Sequence, residues 1–351
     1  MHIVITGGAG FLGARLARTL LAQGRLSLAG APAQTIRRIT LVDRAPPPAD
    51  LAADPRVDAI TGDLNAQLAG DGVDGVNGVN GGVANDTVWR EAHAIFHLAA
   101  AVSGECEADF DLGMRSNFAA THALLEKVRA LGTRPVLVFS SSLAVFGDSP
   151  EQPLPQVIED HTLPTPQTSY GIQKFIGEQL VADFTRKGFV RGRSVRLMTV
   201  SVRPGKPNGA ASGFFSGMIR EPLAGLPAAC PVPDATPVAI ASPARTVEGL
   251  VRAASASDAE WGPRTALNLP SLATTVGDMA AALERVAGKA ATALLDRTPD
   301  AAIQRIVKTW PGHFETARAR ALGLAADESF EAVIRGYVRE NPDAVKLPGV
   351  A

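Results

Sequence analysis

The stretch Thr6-Gly7-Gly8-Ala9-Gly10-Phe11-Leu12-Gly13 decides the fold of this chain. Before it runs Ile3-Val4-Ile5-Thr6, short and apolar, which reads as a buried strand. After it, Phe11 to Ala22 places Leu12, Leu16, Leu20 and Leu21 on one helical face. Glycines between a strand and a helix allow a tight turn, let backbone N–H groups approach a pyrophosphate, and let the helix pack closely on the strand. The helix N-terminus adds its partial positive charge to the phosphates. The segment therefore predicts a dinucleotide site built on Gly7, Gly10, Phe11, Leu12 and Gly13. Two registers fit, Gly8-x-Gly10-x-x-Gly13 and Gly7-x-x-Gly10-x-x-Gly13, and spacing alone does not choose between them. A plain structural turn is the alternative, and the position between strand and helix weighs against it.

Working outward, short β-branched runs alternate with helical periodicity through the first half. Strands are expected at Ile39–Val42, Val57–Thr61, Ala94–Leu98, Pro135–Ser140 and Val195–Val202, and helices around Phe118–Ala130 and Tyr170–Lys187. This pattern implies an α/β fold, a Rossmann-type doubly wound parallel sheet. Residues 66–87, with an imperfect Gly-Val-Asn/Asp repeat, read as a flexible surface insertion with little to bury. Beyond residue 203 the texture turns proline- and glycine-rich between shorter helices, expected at Arg245–Ala256, Thr275–Ala287, Asp300–Lys308, His313–Leu322 and Ser329–Glu340. The expected organisation is a dinucleotide-binding domain over 1–203 and a smaller substrate-binding lobe over 204–351, with part of 238–270 returning to the first domain.

Composition narrows the function classes. With 46% hydrophobic and 20% charged residues and a net charge of −1, the chain has no electrostatic footprint for nucleic acid or an anionic membrane. Cys106 and Cys230 match no metal spacing and read as reduced thiols. No run reads as a signal peptide or membrane span, so the cytoplasm is the expected compartment.

The chemistry is carried by Tyr170-Gly171-Ile172-Gln173-Lys174, which puts a phenol and an ammonium on one helical face. The chain has only two tyrosines, so a chance pairing is improbable. A free phenol, with a pKa of about 10, is a poor base, and a neighbouring cation favours its phenolate. Tyr170 is then a general base for a substrate hydroxyl. The bland reading is a surface Tyr with an i+4 Lys. Against it stands the run Phe139-Ser140-Ser141-Ser142, which ends an apolar strand at the same sheet edge as the glycine turn. A hydroxyl there can hold an alkoxide-like transition state. Asp43, ending Leu41-Val42-Asp43, is placed to accept the adenosine-ribose hydroxyls and repel a 2′-phosphate, which favours NAD; Arg44 leaves NADP open. Asp63, in Gly62-Asp63-Leu64, is placed to accept from the adenine amino group.

Taken in order, the glycine turn, His97-Leu98-Ala99-Ala100, the serine run and Tyr-x-x-x-Lys resemble the extended short-chain dehydrogenase/reductase superfamily. The resemblance implies that Ser142, Tyr170 and Lys174 are catalytic, and that Lys174 also binds the nicotinamide ribose. It further implies that Leu64, Leu98, Ala99, Ala100 and Asn117 belong to the cofactor site. Phe146 departs from the Tyr often found there. Thr199–Asn208, Gly213–Pro222 and Asn268-Leu269-Pro270 are similar to D-erythronate dehydrogenases. That likeness implies NAD-dependent oxidation of the C2 hydroxyl of a four-carbon sugar acid and, from the superfamily, a homodimer packed through the helices near 118–130 and 170–187. A carboxylate substrate needs cationic or amide groups. Lys206, Asn208 and Arg220 are the candidates, Ser103 is a candidate for a substrate hydroxyl, and Arg203 reads as a buried structural arginine. His97 reads as a core or cofactor-shell histidine. The rivals are a sugar-nucleotide epimerase or dehydratase with retained NAD, a uronate dehydrogenase, and a non-catalytic dinucleotide sensor; the last lacks a Tyr–Lys pair.

Overall fold

The computed structural model describes residues 1–69, 81–205, 209–347 and 349. Its centre is a seven-stranded parallel sheet. In chain order the strands are β1 His2–Thr6, β2 Arg38–Asp43, β3 Val57–Thr61, β4 Ala94–His97, β5 Val136–Ser142, β6 Arg191–Leu197 and β7 Leu267–Asn268. Their spatial order is β7-β6-β5-β4-β1-β2-β3. The order reverses between β1 and β4, and doubly wound sheets bind ligands at the carboxyl ends of the strands at such a point. Ile3 and Ile5 face one core, with Leu16, Leu20 and Phe96; Val4 faces the other, with Ile95, Leu124 and Val128. Parallel strands covered on both faces are apolar throughout, which is why Ile3-Val4-Ile5 shows no alternation.

Helix α1, Phe11–Gln23, ends at Gly24 in the left-handed conformation, φ 66°. Helix α2 is Ala120–Leu131 and α3 is Ser169–Arg186. Thr168 caps α3 by accepting from Gly171 N at 3.1 Å. Helix α4, Gly213–Leu223, buries Phe215, Met218, Ile219 and Leu223 against Met279, Leu283 and Ile334 in a separate C-terminal core. The helix Pro243–Ser255 packs on the main sheet instead, with Val247 and Leu250 in the core shared with Ile3 and Leu16.

Four expectations need correction. The strand expected at 195–202 begins at Arg191 and breaks after Leu197. Arg193 and Arg196 disguise its start, yet both are buried and paired, with Asp258 and Glu178. Thr199–Val200 then pairs in a different sheet, with Ile240–Ala241. The strand expected to end at Ser140 runs to Ser142, because Ser140, Ser141 and Ser142 pair with Val195, Arg196 and Leu197. The stretch 66–87 is not a featureless insertion at its flanks: helices cover Leu64–Ala69 and Gly81–Glu91, and the second continues past 87 to bury Val88 and Trp89. Its repeat at 70–80 lies outside the described residues. The helix expected at 313–322 shrinks to Ala317–Ala321, since Phe314 instead bridges Ile158.

Candidate active site

At the carboxyl ends of β1, β2, β4 and β5 lies a cavity of about 470 Å³. Its floor is the glycine turn. Gly7 takes φ 70°, and a Cβ there would stand 2.8 Å from Ala99 N; a Cβ on Gly13 would stand 2.1 Å from Gly7 O. Both positions thus require glycine. Gly7, Gly10 and Gly13 line the cavity, whereas a Cβ on Gly8 would meet Leu41 behind it, so the Gly7-x-x-Gly10-x-x-Gly13 register is the one the cavity uses. Asp43 Oδ2 accepts from Ala9 N at 3.0 Å and Gly10 N at 3.2 Å, and Oδ1 accepts from Ala45 N. Its charge stands where an adenosine ribose would lie beside the turn. Arg44 is turned to Asp63 at 3.3 Å. The turn, the open path of Phe11, Leu12, Leu64, Leu98, Ala99 and Ala100, and the acid at the end of β2 fit a dinucleotide without a 2′-phosphate.

Opposite the turn stand the chemical groups. Lys174, 3% exposed, donates from Nζ to Ser140 O at 2.8 Å, and its ammonium lies 5.7 Å from the centroid of the Tyr170 ring. Burial pushes this lysine down to about 8, with Cys106 and Glu178 opposing. Burial pushes the half-buried Tyr170 up to about 12; a hydrogen bond from Ser142 and the Arg203 guanidinium pull the other way. Ser142 Oγ also accepts from Ala144 N at 3.2 Å, fixing it at the end of β5. Ser103 lines the cavity and accepts from Ala211 N at 3.1 Å. His97 is not in the cavity wall. Its ring nitrogens meet Thr6 Oγ1 at 2.7 Å and Thr121 Oγ1 at 2.9 Å, and burial drives its pKa down to about 3.

The cavity gathers every expected site residue except four. Lys206 and Asn208 lie outside the described residues. Asn117 is 2% exposed and stands behind the wall. It lies in a π-helical turn, Met114–Ala119, exchanges hydrogen bonds with Ala101 N and O, and donates to Gln173 Oε1 at 2.9 Å. It therefore positions the loop after β4 and does not itself line the cofactor site. Arg220 is likewise displaced: it donates to Arg203 O at 2.8 Å and pairs with Glu221. Arg203, expected from the sequence to be a buried structural arginine, lines the cavity beside the chemical groups, and Arg44 lines it at the far end next to Asp63. Its Nε donates to Val200 O at 3.0 Å and Nη2 to Ser212 Oγ at 2.8 Å; Nη1 bonds to no described residue. Trp310 also lines the cavity, a placement that no local sequence pattern signals; its indole N–H has no partner among the described residues.

Residues 3–237 match the NAD dependent epimerase/dehydratase family. The chain is 46% identical over 340 residues to a D-erythronate dehydrogenase of Cupriavidus necator, covering 97% of this chain and 98% of that one. It is 39% identical over 338 residues to a D-erythronate dehydrogenase of Haemophilus influenzae, covering 96% and 99%. Among solved structures, one described as a nucleoside-diphosphate-sugar epimerase from Agrobacterium tumefaciens superposes with a TM-score of 0.84 at 42% identity, covering 98% of this chain and 95% of that one.

Proposed function

The chain belongs to the NAD-dependent epimerase/dehydratase family and is an NAD-dependent dehydrogenase; from that premise we propose that it oxidises the C2 hydroxyl of a small sugar acid, D-erythronate to 2-dehydro-D-erythronate. The observation that carries this reading is the meeting, in one cavity, of the Ser142–Tyr170–Lys174 group with the Arg203 guanidinium. NAD bound along the glycine turn supplies the hydride acceptor.

Tyr170, as phenolate, takes the proton of the substrate hydroxyl as hydride leaves the same carbon. Ser142 donates to the substrate oxygen and holds its developing charge. Burial raises the phenol above an ordinary value that is already alkaline, so hydrogen bonding and cations must offset it. Lys174 contributes as an ammonium tethered to Ser140 O, and Arg203 contributes across the cavity. Arg203 also takes the substrate carboxylate: two of its nitrogens are pinned to Val200 and Ser212, which leaves Nη1 to make a charge-assisted bond. Arg220 holds the backbone carbonyl of Arg203 and so positions it. Lys206 and Asn208, which follow in the sequence, are the further carboxylate-binding candidates in this reading. Residues 1–203 form the cofactor-binding unit, and 204–351 chiefly the substrate lobe. Two protomers pair through α2 and α3, the latter presenting Ile172, 46% exposed.

The epimerase reading is favoured by the name of the Agrobacterium tumefaciens relative. One experiment separates them: NADH formation is followed at its absorbance with four- to six-carbon aldonic and uronic acids, beside a UDP-sugar epimerisation assay. Turnover of D-erythronate, lost in Tyr170→Phe with NAD binding kept, supports the dehydrogenase. Epimerisation without net NADH sinks it.

A further inference from the structure

A second cavity, of about 800 Å³, opens at the opposite edge of the main sheet, where the strands begin. His2 starts β1, Arg38 starts β2, Val136 starts β5 and Arg191 starts β6, and all four line it. The two cavities therefore sit a strand's length apart, about 16 Å for the five residues of β1.

The lining of this cleft is cationic. Arg37, Arg38, Arg90, Arg134 and Arg191 face it, against the single carboxylate of Glu91. Arg38 is already paired, to Asp58 and Glu91. The other four guanidinium groups make no hydrogen bond or ion pair with a described residue. Asp258, nearby, feels the charges of Arg191 and Arg134 but is bonded to Arg193. The field reaches inward: His2, 5% exposed, is held down to about 4 by burial and by Arg38, with Asp58 opposing and His93 adding to the fall. Four like charges gathered on a concave wall repel one another, and this is offset only in part by Asp258 near Arg134 and Arg191 and by the place of Arg90 in the last turn of its helix. A guanidinium presents forked donors matched to phosphate oxygens, and several on one wall match a ligand with several such groups. The concave shape and the net charge of −1 over the whole chain favour a compact anion over an extended nucleic acid, which the remaining surface does not attract.

We propose that this arginine-lined cleft at the N-terminal edge of the sheet binds a small oligophosphate, the chemistry of inorganic tripolyphosphate and of a nucleoside triphosphate tail. The site is independent of the NAD cavity and of the substrate assigned above. The test is calorimetric titration of the full chain, saturated with NADH so that the glycine turn is filled, with tripolyphosphate, ATP and adenosine in separate arms. Binding of the first two but not adenosine, weakened by added salt, is expected. The double variant Arg37→Gln/Arg90→Gln should weaken it roughly tenfold. Both residues are exposed and their guanidinium groups bond to no described residue, so melting temperature and ligand-free dehydrogenase activity should match the parent. No binding under NADH saturation, equal binding by the double variant, or tighter binding of a single-stranded oligonucleotide than of tripolyphosphate would each overturn the proposal.

Discussion

Replacing Glu178 by Gln removes the one carboxylate that pairs with the buried Arg196 among the described residues, beneath the proposed active site. Glu178 Oε1 and Oε2 accept from Arg196 Nε and Nη2 at 2.8 and 2.7 Å, and Oε1 also accepts from Ser141 Oγ at 2.5 Å. The two side chains are 2% and 6% exposed, so water cannot replace what is lost. Arg196 then keeps only neutral partners: one amide oxygen of the glutamine, Asn268 Oδ1 at 3.3 Å, and the face of Phe146, 4.8 Å from the ring centroid. An uncompensated buried cation of this kind costs about 3–5 kcal/mol, a large share of the roughly 5–15 kcal/mol that holds a domain folded. The double variant Glu178→Leu/Arg196→Met should recover most of that loss, because desolvation of both charges disappears with them. Glu178 also lies one helical turn beyond Lys174, and its charge supports the ammonium against burial. Without it Lys174 falls further below about 8, so the high-pH decline in kcat/KM should move to lower pH. Urea denaturation followed by circular dichroism reads the first effect, and a pH profile with D-erythronate reads the second. A stability loss under about 1 kcal/mol together with an unmoved pH limb would refute both halves of this reasoning.

Arg203→Met should raise KM for the sugar acid roughly 10- to 150-fold, the value of one charge-assisted hydrogen bond, with NADH affinity unchanged. It should also move the rising pH limb upward, since Arg203 opposes the burial of Tyr170; an unchanged KM would remove Arg203 from the substrate site. Gly13→Ala should abolish NAD binding by fluorescence titration, because its Cβ would fall 2.1 Å from Gly7 O and the turn must open. Acid stability follows from His97 and His2, held in the fold at about 3 and about 4. Below about pH 6.5 the unfolded chain takes up protons that the folded one refuses. Stability is therefore full above that pH and declines as pH falls, by about 5 kcal/mol for the two together at pH 4.5. Urea melts at neutral pH and at pH 4.5 check this, and His97→Gln should halve the decline.

Local patterns carried much of this protein into view. The turn at Gly7–Gly13 needs only neighbouring residues: a strand, backbone without side chains, and a helix. Tyr170 and Lys174 share a face because four residues make about one helical turn. Alternating runs were enough to read the parallel sheet, and Asp43 sits where the second strand must end. Contacts between distant segments were another matter. Arg193 and Arg196 look like solvent residues until Asp258 and Glu178, 65 and 18 residues away, are folded against them. Asn117 looks like a ligand residue until a π-helical turn aims it at Ala101. Arg203 and Arg220 are seventeen residues apart and alike in composition; only the path of the chain from Thr199 into α4 sends one into the cavity and the other onto its carbonyl. The sequence by itself thus determined the dinucleotide turn, the sheet and the Tyr–Lys pair, because periodicity and backbone sterics act over a few residues. The tertiary structure decided that Arg203 and not Arg220 lines the cavity, and gathered five more arginines at the far edge of the sheet, because burial and charge pairing depend on residues that only packing brings together.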